Sequence, residues 1–252
     1  MLEVRSDALR IVALSDTHGL HRKVLTGIYS FDLHRGAVPI GDVLVHAGDI
    51  TRKGEIETVR DFAEWMAKQP FRHKVVIAGN HDVCLDIARP GFDGLARRLL
   101  EDRGIHYLQD SSVTLDGVKF YGAPWTPQLA GWAFYDRNHD HYENAPRDID
   151  VLITHAPPRG IRDSEDGLGL HVGSEHVVRY INRCPRLKLH IFGHVHEGYG
   201  VRVAGRITFV NACTCTRAYE PMNRPVAIVM DESEVRRVSL GESILDLVQS
   251  EP

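Results

Sequence analysis

The chain has 252 residues, of which 43% are hydrophobic and 25% are charged, and its formal net charge is −4. This composition is typical of a globular protein. We expect residues 1–252 to form a single domain, because no repeat, low-complexity tract or linker divides them. A slightly acidic chain lacks the basic face that duplex nucleic acid usually requires, so a long polynucleotide is not the expected partner.

The N-terminal sequence MLEVRSDALR lacks the apolar core of a secretion signal, and no segment approaches the ~20 apolar residues of a membrane span. The four cysteines show no CxxC spacing, which is typical of reduced core residues in a cytosolic protein. We therefore expect a cytoplasmic protein without a membrane partner. Nothing in the sequence indicates its oligomeric state.

Short runs rich in β-branched residues recur along the chain and predict strands. These runs lie at 9–14, 42–47, 73–78, 105–108, 112–115, 118–122, 149–154, 188–193, 200–203, 207–211, 225–230 and 234–239. The dipeptides Asp116-Gly117 and Ala204-Gly205 predict two-residue hairpin turns.

Three segments, 55–69, 92–102 and 173–183, show the apolar spacing of helices. The face predicted to be buried in the first consists of Ile56, Val59, Phe62, Ala63 and Met66. Strand and helix alternate in the first half of the chain, while the C-terminal part is almost purely strand. This order favours two sheets packed face to face, with helices on the outer faces.

The segment 123–148 is long, aromatic and without a clear period, and such stretches in compact domains are usually functional or part of a lid. We expect its aromatic residues Trp125, Trp132 and Phe134 mainly to pack the segment onto the body of the protein. One or two of them remain candidates for substrate contact.

Five predicted strands end at short polar clusters. The clusters are Asp16-Thr17-His18, Gly48-Asp49, Gly79-Asn80-His81-Asp82, His155 and Gly193-His194-Val195-His196. Each one alone is explained equally well by an ordinary turn or strand end. Side chains just beyond the carboxyl ends of strands lie where open α/β sheets bind ligands. Five clusters at equivalent positions therefore predict one site built from five loops.

The clusters contain residue types that bind metal ions. The carboxylate, amide and imidazole ligands would come from Asp16, Asp49, Asn80, His18, His155, His194 and His196. Mixed nitrogen and oxygen ligands without thiolate favour Mn, Fe or Zn over Ca or Mg. The set exceeds what one open catalytic ion needs. Two ions about 3.5–4 Å apart that share a carboxylate can hold a bridging hydroxide and clamp both oxygens of a phosphoryl displacement.

The series resembles the calcineurin-like metallophosphoesterase superfamily, whose signature DxH…GD…GNH[DE]…H…GHxH occurs here in order from Asp16 to His196. The stretches THAPP, FGHVHEGYG and NACTCTRAYEPMNRP are similar to the branch of metallophosphoesterase-domain-containing proteins found in animals and bacteria. The resemblance implies an α/β fold, a four-layer αββα sandwich of two mixed β-sheets. It also implies a metal-dependent phosphoric ester hydrolase.

The resemblance further implies the distribution of ligands between two divalent or trivalent ions, with manganese, or else iron or zinc, as the expected metal. One ion would be held by Asp16, His18, Asp49 and His196. The other would be held by Asp49, Asn80, His155 and His194. Asp49 would bridge the two ions.

Roles at the substrate are implied in the same way. His81 would contact the phosphate and protonate the leaving oxygen, a task that suits imidazole because it titrates near neutral pH. We therefore predict His81 and Asp49 as catalytic residues, and Asn80, His81 and Arg52 as substrate contacts.

Arg52 departs from the pattern of protein phosphatases in this superfamily. Those proteins have an acidic residue three places after the bridging aspartate, which orients the histidine, and an Arg-Gly pair that is absent here. The departure argues against a phosphoprotein phosphatase and leaves open what orients His81. Arg52 is either a phosphate contact or an exposed loop residue.

The function that the resemblance implies is hydrolysis of a small, nucleotide-like phosphodiester. A second hypothesis is a nucleotide-binding or regulatory metalloprotein of low activity. A third, phosphomonoesterase or protein phosphatase, stays open because two ions promote the same displacement on monoesters. The complete ligand set, His196 included, favours an active enzyme.

Overall fold

The computed structural model describes residues 8–26, 41–89, 93–127, 131–135, 141–165, 169–231 and 235–237. Strands within these ranges are β1 (Leu9–Leu14), β2 (Val43–Ala47), β3 (His73–Ile77), β4 (His106–Tyr107), β5 (Ser111–Leu115), β6 (Val118–Ala123), β7 (Val151–Thr154), β8 (Ser164–Glu165), β9 (Leu170–His171), β10 (Leu189–Phe192), β11 (Gly200–Ala204), β12 (Ile207–Asn211), β13 (Val226–Met230) and β14 (Val235–Arg237). The α-helices are α1 (His21–Thr26), α2 (Ile56–Ala67), α3 (Leu95–Glu101) and α4 (Glu175–Asn182). Single 3₁₀ turns lie at Val83–Leu85 and His196–Gly198.

The described strands form two six-stranded mixed sheets. The first has the order β14-β13-β1-β2-β3-β4, in which β1 to β4 are parallel and β13 and β14 are antiparallel to their neighbours. The second has the order β11-β12-β10-β7-β6-β5, in which the four inner strands are parallel and both edge strands are antiparallel. The short strands β8 and β9 pair only with each other.

The two sheets pack face to face and bury a shared apolar core. Ile11, Val45 and Ile77 of the first sheet lie in one cluster with Ile153 and Ile191 of the second. Every residue of β2, β7, β10 and β12 is buried, as expected for inner strands covered on both faces. These strands consequently lack the alternation of polar and apolar residues that a half-exposed strand shows.

Helices cover the outer face of each sheet. Helix α2 buries Val59, Phe62 and Met66 against the first sheet, and α3 packs beside it. Helix α4 buries Val177, Tyr180 and Ile181 against the second sheet. The predicted four-layer αββα sandwich is therefore confirmed.

The strands and helices predicted from the sequence are all present, and their ends differ from the predicted ones by at most three residues. Helix α1 and the pair β8–β9 were not predicted, because segments of six and two residues are too short to show a period. The first hairpin is correct, since both Asp116 (φ 47°) and Gly117 (φ 81°) have positive φ.

The second hairpin turn was predicted one residue too early. Ala204 still pairs with Ile207, so the two turn residues are Gly205 and Arg206 rather than Ala204 and Gly205. Gly205 has φ 60° and stands first in the turn, where a type II′ hairpin places glycine.

Part of the aromatic segment 123–148 lies outside the described residues, namely 128–130 and 136–140. Phe134 is 1% exposed, and Trp125 packs against it while donating a hydrogen bond to Asp110 (2.8 Å). These two residues pack the segment onto the body as expected. Among the described helices, none is both long and apolar enough to cross a bilayer. The single domain over 1–252 stays a prediction.

Candidate metal centre

The five polar clusters meet at one place because their strands are parallel. The clusters that follow β1, β2 and β3 lie at the same edge of the first sheet. The clusters that follow β7 and β10 lie at the facing edge of the second sheet. Contacts cross between the sheets: Nε2 of His196 lies 3.4 Å from Oδ1 of Asp16, and Nε2 of His155 lies 3.3 Å from Oδ2 of Asp49. The prediction of one site assembled from five loops is thus consistent with the fold.

Backbone strain is concentrated in these loops. Asp16 (φ 51°), His18 (φ 45°), Asp49 (φ 57°) and His194 (φ 69°) all have left-handed backbone conformations, as does Tyr219 (φ 58°) beside them. A non-glycine residue in this region costs of order 1–3 kcal/mol, and such residues persist where the surroundings over-determine them. Close packing contributes here, because a Cβ atom at Gly79 would collide with the Asp49 carboxylate and one at Gly193 with Asp16.

Four histidines of the site are each fixed by a backbone carbonyl at Nδ1. The carbonyl belongs to Thr51 for His18 (3.1 Å), to Arg52 for His81 (2.6 Å), to Ala47 for His155 (2.9 Å) and to Thr216 for His196 (2.8 Å). A carbonyl oxygen only accepts, so Nδ1 must carry the hydrogen. The neutral imidazole then has its lone pair at Nε2, the arrangement typical of metal-binding histidines.

The Nε2 atoms face one another and two buried carboxylates. The Nε2 atoms of His18 and His196 are 3.3 Å apart. At this distance their two lone pairs repel each other unless a cation or a proton lies between them. Nε2 of His155 is also 3.1 Å from Oδ1 of Asn80. A donor set of this kind fits a metal ion.

The charge balance of the site favours bound cations. Burial lowers the pKa of His155, but the carboxylates of Asp49 and Asp16 outweigh burial and raise it to about 9. The pKa of His196 is likewise raised to about 9, against the effect of burial, by its contact with Asp16. Conversely, burial and the neighbouring His155 lower the pKa of His194 to about 4. Two buried carboxylates thus attract positive charge, which a metal ion can also supply.

Three groups of potential ligand atoms lie within 4.8 Å of one another among the described residues. They are Asp16, His18 and His196; His18, Asp49 and His81; and Asp16, Asp49 and His155. Asp16, His18 and Asp49 each belong to two groups, so the bridging role of Asp49 stays a prediction. Asn80 adds a neutral oxygen ligand, because its Oδ1 lies beside Nε2 of His155.

Two predicted residues are placed differently from the rest. His194 belongs to none of the three groups, although its ring centroid lies 5.1 Å from that of His155. His81, predicted as a non-ligand, does belong to one, with Nε2 3.9 Å from Oδ2 of Asp49. The ligand assignment as a whole stays a prediction.

The orientation of His81, which the sequence leaves open, has a structural explanation. Its Nδ1 donates to the backbone carbonyl of Arg52 (2.6 Å), the residue at the position where protein phosphatases have an acidic side chain. The peptide oxygen thus replaces the carboxylate as the acceptor. The Arg52 side chain is exposed, and its guanidinium carbon lies 5.0 Å from the ring centroid of Tyr219.

Several supporting residues were not predicted as part of the site. Oδ2 of Asp16 accepts hydrogen bonds from Ser15 Oγ (2.5 Å), His194 N (3.0 Å) and Cys213 Sγ (3.1 Å). The N–H group of His194 is also 3.1 Å from Oδ1, the oxygen that faces Nε2 of His196. The unusual NACTC sequence was the only signal of this role for Cys213.

Two buried histidines support the loops from inside the strands. Nε2 of His46 lies 2.9 Å from Oγ1 of Thr17, and Nε2 of His190 lies 2.8 Å from Oγ1 of Thr154. Burial lowers the pKa of each histidine to about 3, so both are neutral. A histidine inside an apolar strand, as in VLVHA and LHIF, was the available sequence signal.

Asp82 ties the loop after β2 to the loop after β3. Its carboxylate accepts hydrogen bonds from the backbone N–H groups of Ile50 (3.1 Å), Thr51 (2.8 Å) and Gly79 (2.9 Å). The side chain is fully buried. It therefore fixes the relative position of Asp49 and Asn80.

We expect Asp82→Ala to lower the free energy of unfolding by roughly 3 kcal/mol or more, because each buried N–H group left without an acceptor costs about 1–3 kcal/mol. Urea unfolding of the metal-free protein measures this change. Asp148→Ala, which removes an exposed partner of Lys119, is the control and should cost less than about 1 kcal/mol. Equal effects of the two substitutions would contradict the role of Asp82.

Comparison with known proteins agrees with the geometry. A family model described as calcineurin-like phosphoesterase matches residues 9–198. Human metallophosphoesterase domain-containing protein 1 is 36% identical over 240 residues, covering 87% of this chain and 70% of its own. UPF0046 protein K07C11.7 of Caenorhabditis elegans is 35% identical over 237 residues, covering 86% and 74%.

A solved structure supports the fold alone. The crystal structure of TT1561 of Thermus thermophilus has a TM-score of 0.58 and 12% sequence identity, and the match covers 92% of this chain and 98% of the other. The family model, in contrast, spans the five clusters. The chain belongs to the calcineurin-like metallophosphoesterase family.

Proposed function

We propose that the protein is a two-metal phosphodiesterase that hydrolyses a small, nucleotide-like phosphodiester. The proposal rests mainly on one observation. Imidazoles fixed at Nδ1 by backbone carbonyls direct their Nε2 atoms towards the buried carboxylates of Asp16 and Asp49. Family membership suggests a phosphoric ester hydrolase. The preference for diesters and for nucleotide-like groups belongs to the proposal.

Two ions fit the ligands present. One would be held by Asp16, His18, Asp49 and His196, and the other by Asp49, Asn80, His155 and His194. When bound, such cations supply the Lewis acidity that activates water and offsets charge on a phosphoryl group. The mixed donor set favours manganese, iron or zinc, and manganese is the metal that we propose.

The remaining residues position the substrate and transfer a proton. Because the Arg52 carbonyl fixes the Nδ1 hydrogen of His81, Nε2 is the atom that can hold a proton for the leaving oxygen. The guanidinium of Arg52 forms no salt bridge with a carboxylate of the described residues, and its charge is available to the phosphate. Asn80 contributes its amide oxygen beside His155.

Two other functions are compatible with the same ligands. A phosphomonoesterase would use the same ions, although Arg52 at the acidic position argues against a protein phosphatase. A nucleotide-binding protein of low activity would retain the ligands without turnover. The expectations of a cytoplasmic location and of no long nucleic acid or membrane partner stay predictions.

The test compares a diester with a monoester. With Mn²⁺, the protein should hydrolyse bis(p-nitrophenyl) phosphate with a higher kcat/KM than p-nitrophenyl phosphate, and a chelator should abolish both activities. Preference for the monoester would favour the phosphomonoesterase. Binding of adenosine monophosphate without metal-dependent turnover of either ester would favour the regulatory protein.

A further inference from the structure

Trp132 lies in a short loop whose backbone is fixed on both sides. The Gly131 carbonyl accepts a hydrogen bond from Arg89 (2.8 Å), and the Phe134 N–H donates to Asp86 (3.3 Å). Between them, the Ala133 N–H donates to the carbonyl of Asn80 (3.1 Å). The loop is thereby attached directly to the GNHD cluster of the metal centre.

The loop buries its other side chains and presents the indole of Trp132. Ala133 and Phe134 are 0% and 1% exposed, whereas Trp132 is 37% exposed. Trp125, in the same segment, is partly buried against the core, and its indole nitrogen donates a hydrogen bond to Asp110 (2.8 Å). Trp132 forms no equivalent hydrogen bond with another described residue. Packing therefore explains Trp125 and Phe134 but not Trp132.

The indole lies against the histidine that we propose to protonate the leaving oxygen. Its ring centroid is 4.3 Å from that of His81, with the planes inclined at 43°. A partly exposed aromatic side chain thus adjoins the proposed proton donor. A flat group bound to the phosphate can cover this surface and gain the dispersion and quadrupole interactions of aromatic pairs.

Tyr219 and Arg52 occupy the neighbouring part of the site. The Tyr219 ring lies 4.7 Å from that of His18 and 6.3 Å from that of His81, and the Arg52 guanidinium lies over it. Because the Tyr219 ring already contacts both His18 and Arg52, less of its surface is free than that of Trp132. Tyr219 instead holds a cation near the metal centre, where an anionic phosphate would lie.

We propose that Trp132 is a specificity-determining residue, which binds the planar aromatic group of a phosphoester whose phosphate lies between the metal centre and Arg52. The proposal rests on the proposed function of the same site and adds the chemical class of the esterified group. An aliphatic ester would leave the indole uncovered and gain nothing from it. A nucleobase is one group that meets the requirement.

The test measures binding, so it does not depend on turnover. Phenyl phosphate and methyl phosphate are titrated calorimetrically into the Mn²⁺-loaded protein, its Trp132→Ala and Trp132→Phe variants, and the control Trp125→Phe. We expect the unchanged protein to prefer phenyl phosphate by roughly fivefold to tenfold. Trp132→Ala should abolish that preference while the Kd of methyl phosphate is unchanged. The Trp132→Phe variant should keep most of the preference for phenyl phosphate, and the Trp125→Phe variant should keep all of it.

The outcomes separate this proposal from the phosphodiesterase proposal. No preference in the unchanged protein, or an equal loss for both ligands in Trp132→Ala, would overturn the role of Trp132. A preserved preference without turnover of any ester would contradict the phosphodiesterase alone. Turnover of an ester without any preference for an aromatic group would contradict the role of Trp132 alone.

Discussion

Asp49→Asn is expected to lower kcat/KM for phosphodiester hydrolysis roughly a thousandfold and to remove bound metal, because Asp49 is the predicted bridging ligand and its carboxylate faces three histidines. Its Oδ2 lies 3.3 Å from Nε2 of His155 and 3.9 Å from those of His18 and His81. Asparagine keeps the shape, and its amide oxygen can still accept the hydrogen bond that Oδ1 receives from His81 N (2.8 Å). The substitution therefore removes the charge while leaving the loop contact possible.

The matched control is Asp150→Asn. Asp150 is also a buried carboxylate, paired with Arg186 (3.0 Å), but it precedes β7 and lies at the opposite end of that strand from His155. Its substitution should leave metal content and turnover within about twofold of the original. Elemental analysis and steady-state kinetics measure both quantities. Full metal occupancy in Asp49→Asn would contradict the bridging role.

His81→Ala is expected to lower kcat by 10²- to 10⁴-fold for an alkyl diester and much less for bis(p-nitrophenyl) phosphate. The reason is that nitrophenolate leaves without a proton, whereas an alkoxide needs one. Both rates should fall somewhat, since His81 is also a predicted phosphate contact. The comparison uses a glycerophosphodiester as the alkyl substrate, with metal content measured alongside.

Metal content distinguishes the two roles that the geometry allows for His81. Its Nε2 atom lies in a group with His18 and Asp49 that could hold an ion, although the family pattern implies a non-ligand. Retention of two ions with a leaving-group-dependent loss of rate supports proton transfer. Loss of an ion, with both substrates affected equally, would make His81 a ligand instead.

The sequence predicts the fold well because strand positions depend on local composition. Runs such as VLVHA and VLIT are short and β-branched, and each ends at a polar cluster, so both the strands and the five loops can be read from nearby residues. The shift of the second hairpin shows the limit. Gly205 is recognisable as a turn residue, but its place within the turn depends on the pairing of Ala204 with Ile207.

Parts of the site depend on contacts between distant segments and were not predictable. A backbone carbonyl has no sequence signature, so the bond from His81 to the oxygen of Arg52 could not be anticipated from residue types. Cys213, which follows β12 of the second sheet, contacts Asp16, which follows β1 of the first sheet, across almost two hundred positions of the chain. The exposure of Trp132 similarly follows from the attachment of its loop to Asn80.

The central claim is that the five loops bind two metal ions, and crystals of the Mn²⁺-loaded protein test it most directly. An anomalous difference map collected at the manganese edge locates each ion and identifies its ligands. We predict two peaks that share Asp49, one beside Asp16, His18 and His196, and the other beside Asn80, His155 and His194. A single peak, or peaks away from these residues, would contradict the two-metal centre.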